Sequence, residues 1–249
     1  MIPFLDNVSR VFRVSYLIPI KLPFPPNHNF TGRRKELAAI SRTFESLSSG
    51  ISDLQKVVVL HGLGGIGKTQ IAYQYAYSSL NKYTFIGWID ATNAETISSS
   101  FLEIAQQLIR HHASNGSTSG QHPDFASTAT ALGMPPETFN QQRKGTPPET
   151  ATAIIDAIKR WFCAENNRRW LLVVDNYDDI KYIDIGHYLP RCFHGHILVT
   201  SRARDSVRLG TGLEVAEIAL DDGTEILRKS AQYDLILFKR GRYSSPNNV

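Results

Sequence analysis

Cysteine is nearly absent from this 249-residue chain: only Cys163 and Cys192 occur, and neither sits in a metal-ligand spacing pattern. That excludes a disulfide framework and a cysteine zinc site, and it reads as two reduced thiols in an intracellular protein. Long hydrophobic runs are missing too. Nothing approaches the ~18 apolar residues of a membrane span. Asp6, Arg10 and Arg13 interrupt the N-terminal stretch, so it does not read as a secretory signal. The net charge of +4 comes without a long basic stripe, so no nucleic-acid partner is expected. There are no internal repeats. The chain is 42% hydrophobic and 20% charged, proportions that allow a sizeable core in an ordinary soluble domain. A soluble, cytoplasmic protein with no membrane partner is the expectation.

Against that plain background one segment stands out. Gly62-Leu63-Gly64-Gly65-Ile66-Gly67-Lys68-Thr69 satisfies G-x-x-x-x-G-K-[ST] at every fixed position. It follows the apolar run Val57-Val58-Val59-Leu60 and precedes a helical pattern, the strand–loop–helix context of a P-loop. Glycines let successive backbone N–H groups turn inward on a phosphate, and the helix adds its positive end. Gly62, Gly64, Gly65, Ile66, Gly67 and Gln70 are therefore nucleotide-binding candidates. Lys68 is placed to bridge the β- and γ-phosphates and Thr69 to ligate Mg²⁺. A purine nucleotide is the expected ligand.

Organisation follows from periodicity. Residues 1–29, with Pro23, Pro25 and Pro26, read as an extended lead-in. Leu37, Ile40, Phe44 and Leu47 recur at helical spacing, and Ser48-Ser49-Gly50 then leads to a strand at 56–61. The helix after the P-loop places Ile71, Ala72, Tyr75 and Ala76 on one face. Strands are expected at Thr84–Asp90, Trp170–Val174, His196–Thr200 and Leu213–Leu220. Between them, Thr92-x-x-Glu95 reads as a capping box opening a helix with Ile97, Phe101, Ile104, Leu108 and Ile109 inward. A further helix carries Ile154, Ile155, Ile158, Trp161 and Phe162. After the last strand, Asp221 or Asp222 is placed to cap another. The polar stretch 111–150 has few large apolar residues to offset its ordering entropy and reads as a disordered insertion. Strands alternating with helices predict an α/β, three-layer P-loop NTPase fold with a mostly parallel sheet.

Leu171-Leu172-Val173-Val174-Asp175 is four apolar residues ending in an acid, the Walker B pattern, so Asp175 joins Thr69 as a metal-site candidate. The next residue is Asn176, an amide where an efficient ATPase places an acid, which argues for slow hydrolysis. Asp178 and Asp179 lie close in sequence and read chiefly as turn residues. Arg202, just past a strand, is placed to sense a γ-phosphate. Lys68, Asp175 and Arg202 are the residues assigned to any phosphate chemistry.

Four motifs together resemble the nucleotide-binding module of NB-ARC proteins, the STAND class of signalling P-loop NTPases, in the form found in large fungal NOD-like receptors. They are Phe30-Thr31-Gly32-Arg33-Arg34-Lys35-Glu36-Leu37, the P-loop, the D-N-x-D-D ending of Leu171 to Asp179, and Gly195 to Arg202 ending in T-S-R. The resemblance spans roughly residues 22–230. It implies ADP or ATP with Mg²⁺ as ligands, base-side contacts from Phe30, Thr31, Gly32 and Arg33, and a switch in innate-immunity signal transduction. Partners implied are adenine nucleotide and other NB-ARC proteins, or self-association. Residues 30–230 are expected to form this domain. Beyond them residues 231–249 depart from the family's pattern and read as a divergent tail on a truncated core; Lys239, Arg240 and Arg242 read as a solvated basic tail. Two rival readings are an active AAA+-like ATPase using Asp178 or Asp179, and a non-catalytic fragment docking on full-length receptors.

Overall fold

The computed structural model describes residues 18, 22, 23, 25, 27, 30–46, 55–116, 122–142, 145–218, 220 and 222–229. Most of the lead-in, Leu47 to Gly50, Asp221 and the tail 231–249 lie outside the described residues. Five strands form one parallel sheet: β1 (Lys56–His61), β2 (Phe85–Asp90), β3 (Trp170–Asp175), β4 (His196–Ser201) and β5 (Thr211–Glu214). Their order is β2-β3-β4-β1-β5. Every pairing is parallel, so all C-terminal ends share one edge, where open α/β sheets bind ligands.

The apolar runs work because both faces are covered. On β3 all six residues are buried. Leu171 and Val173 face one side, with Val58, Leu60 and Leu198 of the neighbouring strands. There they meet α1 (Arg34–Glu45) through Ile40 and Phe44, and α2 (Lys68–Ser78) through Ile71, Ala72, Tyr75 and Ala76. Leu172 and Val174 face the other side, against α3 (Ala94–Gly116) and α5 (Pro148–Phe162). The helix faces expected from periodicity, Ile97 to Ile109 and Ile154 to Phe162, are buried there. Each large side chain taken fully from water contributes about 1.5–3 kcal/mol, and the second face buries the larger set of them.

Three expectations are corrected. The capping residue of α3 is Asn93, not Thr92: Asn93 Oδ1 accepts from Thr96 N (2.9 Å), while Thr92 bonds Asp90 Oδ1 instead. The last strand ends at Glu214, because its partner β1 ends opposite it at His61 and turns into the P-loop; beyond, the Ala216 carbonyl accepts from the Arg33 guanidinium. Much of the described part of the stretch 111–150 is structured. Its first residues complete α3, and α4 (Phe125–Ala131) and a 3-10 turn (Pro136–Asn140) follow. Asp124 caps α4 through Ser127 N, and Phe125 stacks on Phe139 at 3.9 Å. Gln106 of α3 donates to the carbonyls of Phe139 and Gln141. The segment's apolar residues are few, but Ala129, Leu132 and Met134 are all buried against the core. Averaged composition hides that placement.

Candidate nucleotide-binding site

The P-loop lies at the C-terminal edge, between β1 and α2. Gly65 (φ 75°) and Gly67 (φ 99°) occupy the left-handed region, and a Cβ on either would meet nothing within 4 Å. Backbone conformation, not crowding, is what requires glycine there. α2 begins without a side-chain cap and without an acid in its first turn. Its first N–H groups and positive dipole end therefore face the loop.

Lys68 is buried and donates from Nζ to the carbonyls of Gly62 (2.9 Å) and Leu63 (2.8 Å). Burial holds its pKa below the usual lysine value; Asp178 and Asp175 oppose that shift and Arg202 adds to it. Asp175 is buried at the end of β3, where Oδ1 accepts from Thr69 Oγ1 (2.8 Å) and Thr200 Oγ1 (2.6 Å). Burial raises the Asp175 pKa, the two hydroxyls pull it down, and neighbouring Asp90 pushes it up. Thr200 also accepts from Asn176 N (3.0 Å), which helps hold Asn176 at φ 62°. Sequence reasoning missed Thr200. Its signal was the register: β3 pairs β4 with Val174 opposite Val199, which puts Thr200 beside Asp175.

Arg202 follows β4 and runs past Gly64. Its backbone N and its Nε each donate to Asp178 at 2.6 Å, one to each carboxylate oxygen. Lys68, Thr69, Asn176, Asp178, Thr200 and Arg202 line a cleft of about 760 Å³ with Gly64, Gly65, Gly67, Gln70, Thr92 and Asp179. A second lobe of about 660 Å³ meets it at Gly65, Gly67 and Gln70, and is lined by Asn27, Phe30, Thr31, Arg33, Ile66, Glu217, Ile218 and Ile226. One lobe is polar and ends on the P-loop; the other offers apolar side chains. That pairing suits a phosphate chain and a base.

The N-terminal motif divides in role. Phe30 and Thr31 line the second lobe. Gly32 packs against Asp222 instead, and Lys229 donates to Thr31 Oγ1, so the helical segment 222–229 closes over the motif. Arg33 borders the lobe but its guanidinium is engaged elsewhere, donating to Ile66 O (2.8 Å), Ala216 O (2.7 Å) and Glu36 (2.8 Å). It ties motif, P-loop and β5 exit together. Glu217, Ile218 and Ile226 were not foreseen as lobe residues, because no local pattern marks them.

A profile of the AAA ATPase domain matches residues 29–184, which include the N-terminal motif, the P-loop and Asp175. The chain belongs to the AAA ATPase domain family. It is 25% identical over 235 aligned positions, 86% of this chain, to a nucleotide-binding leucine-rich repeat (NLR)-like protein of Hyaloscypha variabilis. The chain spans 20% of that relative's length. Among solved structures, it is 19% identical to the Aeropyrum pernix ORC2 protein in its ADPNP–ADP complexes, covering 90% of this chain and 55% of that one, with a TM-score of 0.44. The profile and the NLR-like relative support an AAA ATPase domain of the NB-ARC/NLR type, the resemblance the motifs carried. Among the described residues no helix is long and apolar enough to cross a membrane. Nor do they hold a group of three or more His, Cys, Asp or Glu placed for a metal. Magnesium does not require one, since it is held by one or two protein oxygens with phosphate and water.

Proposed function

We propose that this AAA ATPase domain is an ADP/ATP-binding regulatory switch that holds nucleotide with Mg²⁺ and hydrolyses it slowly. The observation that carries the reading is the Arg202–Asp178 clasp. Asn176, directly after Asp175, is an amide and takes no proton. Asp178, the next acid along the chain, has both oxygens engaged by Arg202. Of the other nearby acids, Asp90, opposite Asp175 in the sheet, accepts from Thr92, and Asp179 lines the cleft but is exposed.

The same clasp supplies the switch. Arg202 has two alternative acceptors, Asp178 or the oxygens of a third phosphate, so ATP and ADP favour different arrangements of one side chain. Differential affinity for two states is what a switch requires. The donor set fits both ligands. Thr69 Oγ1 and Asp175 Oδ1, 2.8 Å apart, would hold Mg²⁺, which when bound neutralises phosphate charge. Lys68 and the α2 N-terminus would hold the phosphates, and Phe30, Ile218 and Ile226 the adenine. Residues 30–230 form the proposed domain, and association with like domains is the proposed output.

The test is turnover against occupancy. Purified protein mixed with Mg-ATP should bind about one equivalent yet turn over far below ~1 s⁻¹, the low end of ordinary enzymes. Steady hydrolysis at or above that rate, lost in Asp178→Asn or Asp179→Asn, would establish an active ATPase instead.

A further inference from the structure

The chain's two cysteines meet in space although they are far apart in sequence. Cys163 is the C-cap of α5, and Cys192 lies in the turn leading into β4. Cys192 Sγ lies 4.0 Å from the carbonyl of Phe162, the residue directly before Cys163. Both residues are half-buried, so a small oxidant can reach them. Gln55 and the His194 carbonyl complete the surround of Cys192. Gln55 precedes β1 and His194 precedes β4, so the pair sits at the N-terminal edge of the sheet, opposite the nucleotide cleft.

The two sulfurs are not equivalent. Interaction with the Cys192 thiol, the Arg191 N–H and the charge of Lys159 lower the Cys163 thiol against the opposing effect of burial. The neighbouring Cys163 sulfur and burial push its partner up. The lowered thiol holds the larger thiolate fraction, the form that attacks.

We propose that Cys163 and Cys192 are an oxidative modification site that closes to an intramolecular disulfide on exposure to a peroxide. The Cys163 thiolate attacks one peroxide oxygen; the S–O bond forms, the O–O bond breaks and hydroxide leaves as water after taking a proton. Cys192, as it loses its proton, attacks the sulfenic sulfur; the S–S bond forms and the S–O bond breaks, releasing a second water. Two thiols and one hydrogen peroxide give one disulfide and two waters, the sulfurs losing the two electrons that the peroxide gains. The bond would tie the end of α5 to the start of β4, the strand whose far end carries Thr200 and leads to Arg202.

The test treats the full chain with hydrogen peroxide and maps non-reduced peptides by mass spectrometry. The expected result is a Cys163–Cys192 cross-link that dithiothreitol reverses, with the melting temperature raised by roughly 5–10 °C in the oxidised form. Dimedone added early should trap sulfenic acid on Cys163 in the wild type and accumulate there in Cys192→Ser. Retention of two alkylatable thiols, intermolecular cross-links alone, or trapping on Cys192 would overturn the proposal. The wild-type map decides the matter even where a serine variant fails to fold.

Discussion

Arg33→Ala should destabilise the domain well beyond what an ordinary polar substitution does. The guanidinium is 9% exposed and holds two backbone carbonyls and one carboxylate. The bond to Ile66 O is partly buried, and a charged donor there contributes about 1.5–3 kcal/mol. The bond to Ala216 O is open to water, which replaces much of it, leaving about 0.5–1 kcal/mol. The Glu36 pair at i,i+3 adds about 0.2–0.5 kcal/mol. The sum is about 2–4.5 kcal/mol, or roughly 4–18 °C in melting temperature for a domain of this size. Arg33 also sits at φ 58°, where a Cβ costs about 1 kcal/mol, so Arg33→Gly should be less damaging than Arg33→Ala. Urea unfolding in EDTA measures both. A loss below about 1 kcal/mol in Arg33→Ala would refute the view that this side chain fastens the motif to the P-loop.

Other substitutions separate binding from folding. Asp175→Asn should remove Mg²⁺-dependent nucleotide affinity yet melt no lower than wild type at neutral pH. The sign follows from the raised pKa of Asp175: the native state favours its protonated form, so the charge opposes folding above that pKa and ceases to as pH falls through it. Any advantage of the asparagine should shrink in acid; a variant markedly less stable than wild type at pH 7 contradicts this. Asp178→Asn should loosen the clasp and favour ATP over ADP by up to about fivefold, since an ion pair whose arginine is 65% exposed is worth at most about 1 kcal/mol; calorimetric titration with each nucleotide reads the ratio. Gly195→Ala should abolish folding or lower the melting temperature severely, because at φ 84° its Cβ would lie 2.1 Å from the Trp170 ring; near-native melting would show that the contact is not rigid.

Legibility tracks the range of the interaction. The strands are visible as short apolar runs because a parallel sheet covered on both faces needs no alternation, and Leu171 to Val174 are simply all apolar. The P-loop and Asp175 are visible because local geometry demands fixed residues at fixed spacing. What stays hidden depends on chain crossings. Thr200 reaches Asp175, and Asp178 reaches Arg202, only because β4 lies beside β3. Arg33 reads as a base contact only through the resemblance of its motif to the NB-ARC entry motif, while its bonding partners, Ile66 and Ala216, come from two other parts of the chain. The 111–150 stretch reads as disordered, yet a few well-placed apolar residues such as Phe125, Ala129, Leu132 and Met134 are enough to dock a short helix. Composition does not report placement. Residues Glu217, Ile218 and Ile226 join the lobe through the path taken after β5, which no spacing rule encodes.

The most direct test of the central claim is to denature freshly purified wild-type and Lys68→Ala protein and to identify the released nucleotide by chromatography. A nucleotide-holding switch should release near-stoichiometric ADP from the wild type and none from the variant, with both proteins equally folded. No nucleotide from either, and no binding when Mg-ATP is added, would contradict the account.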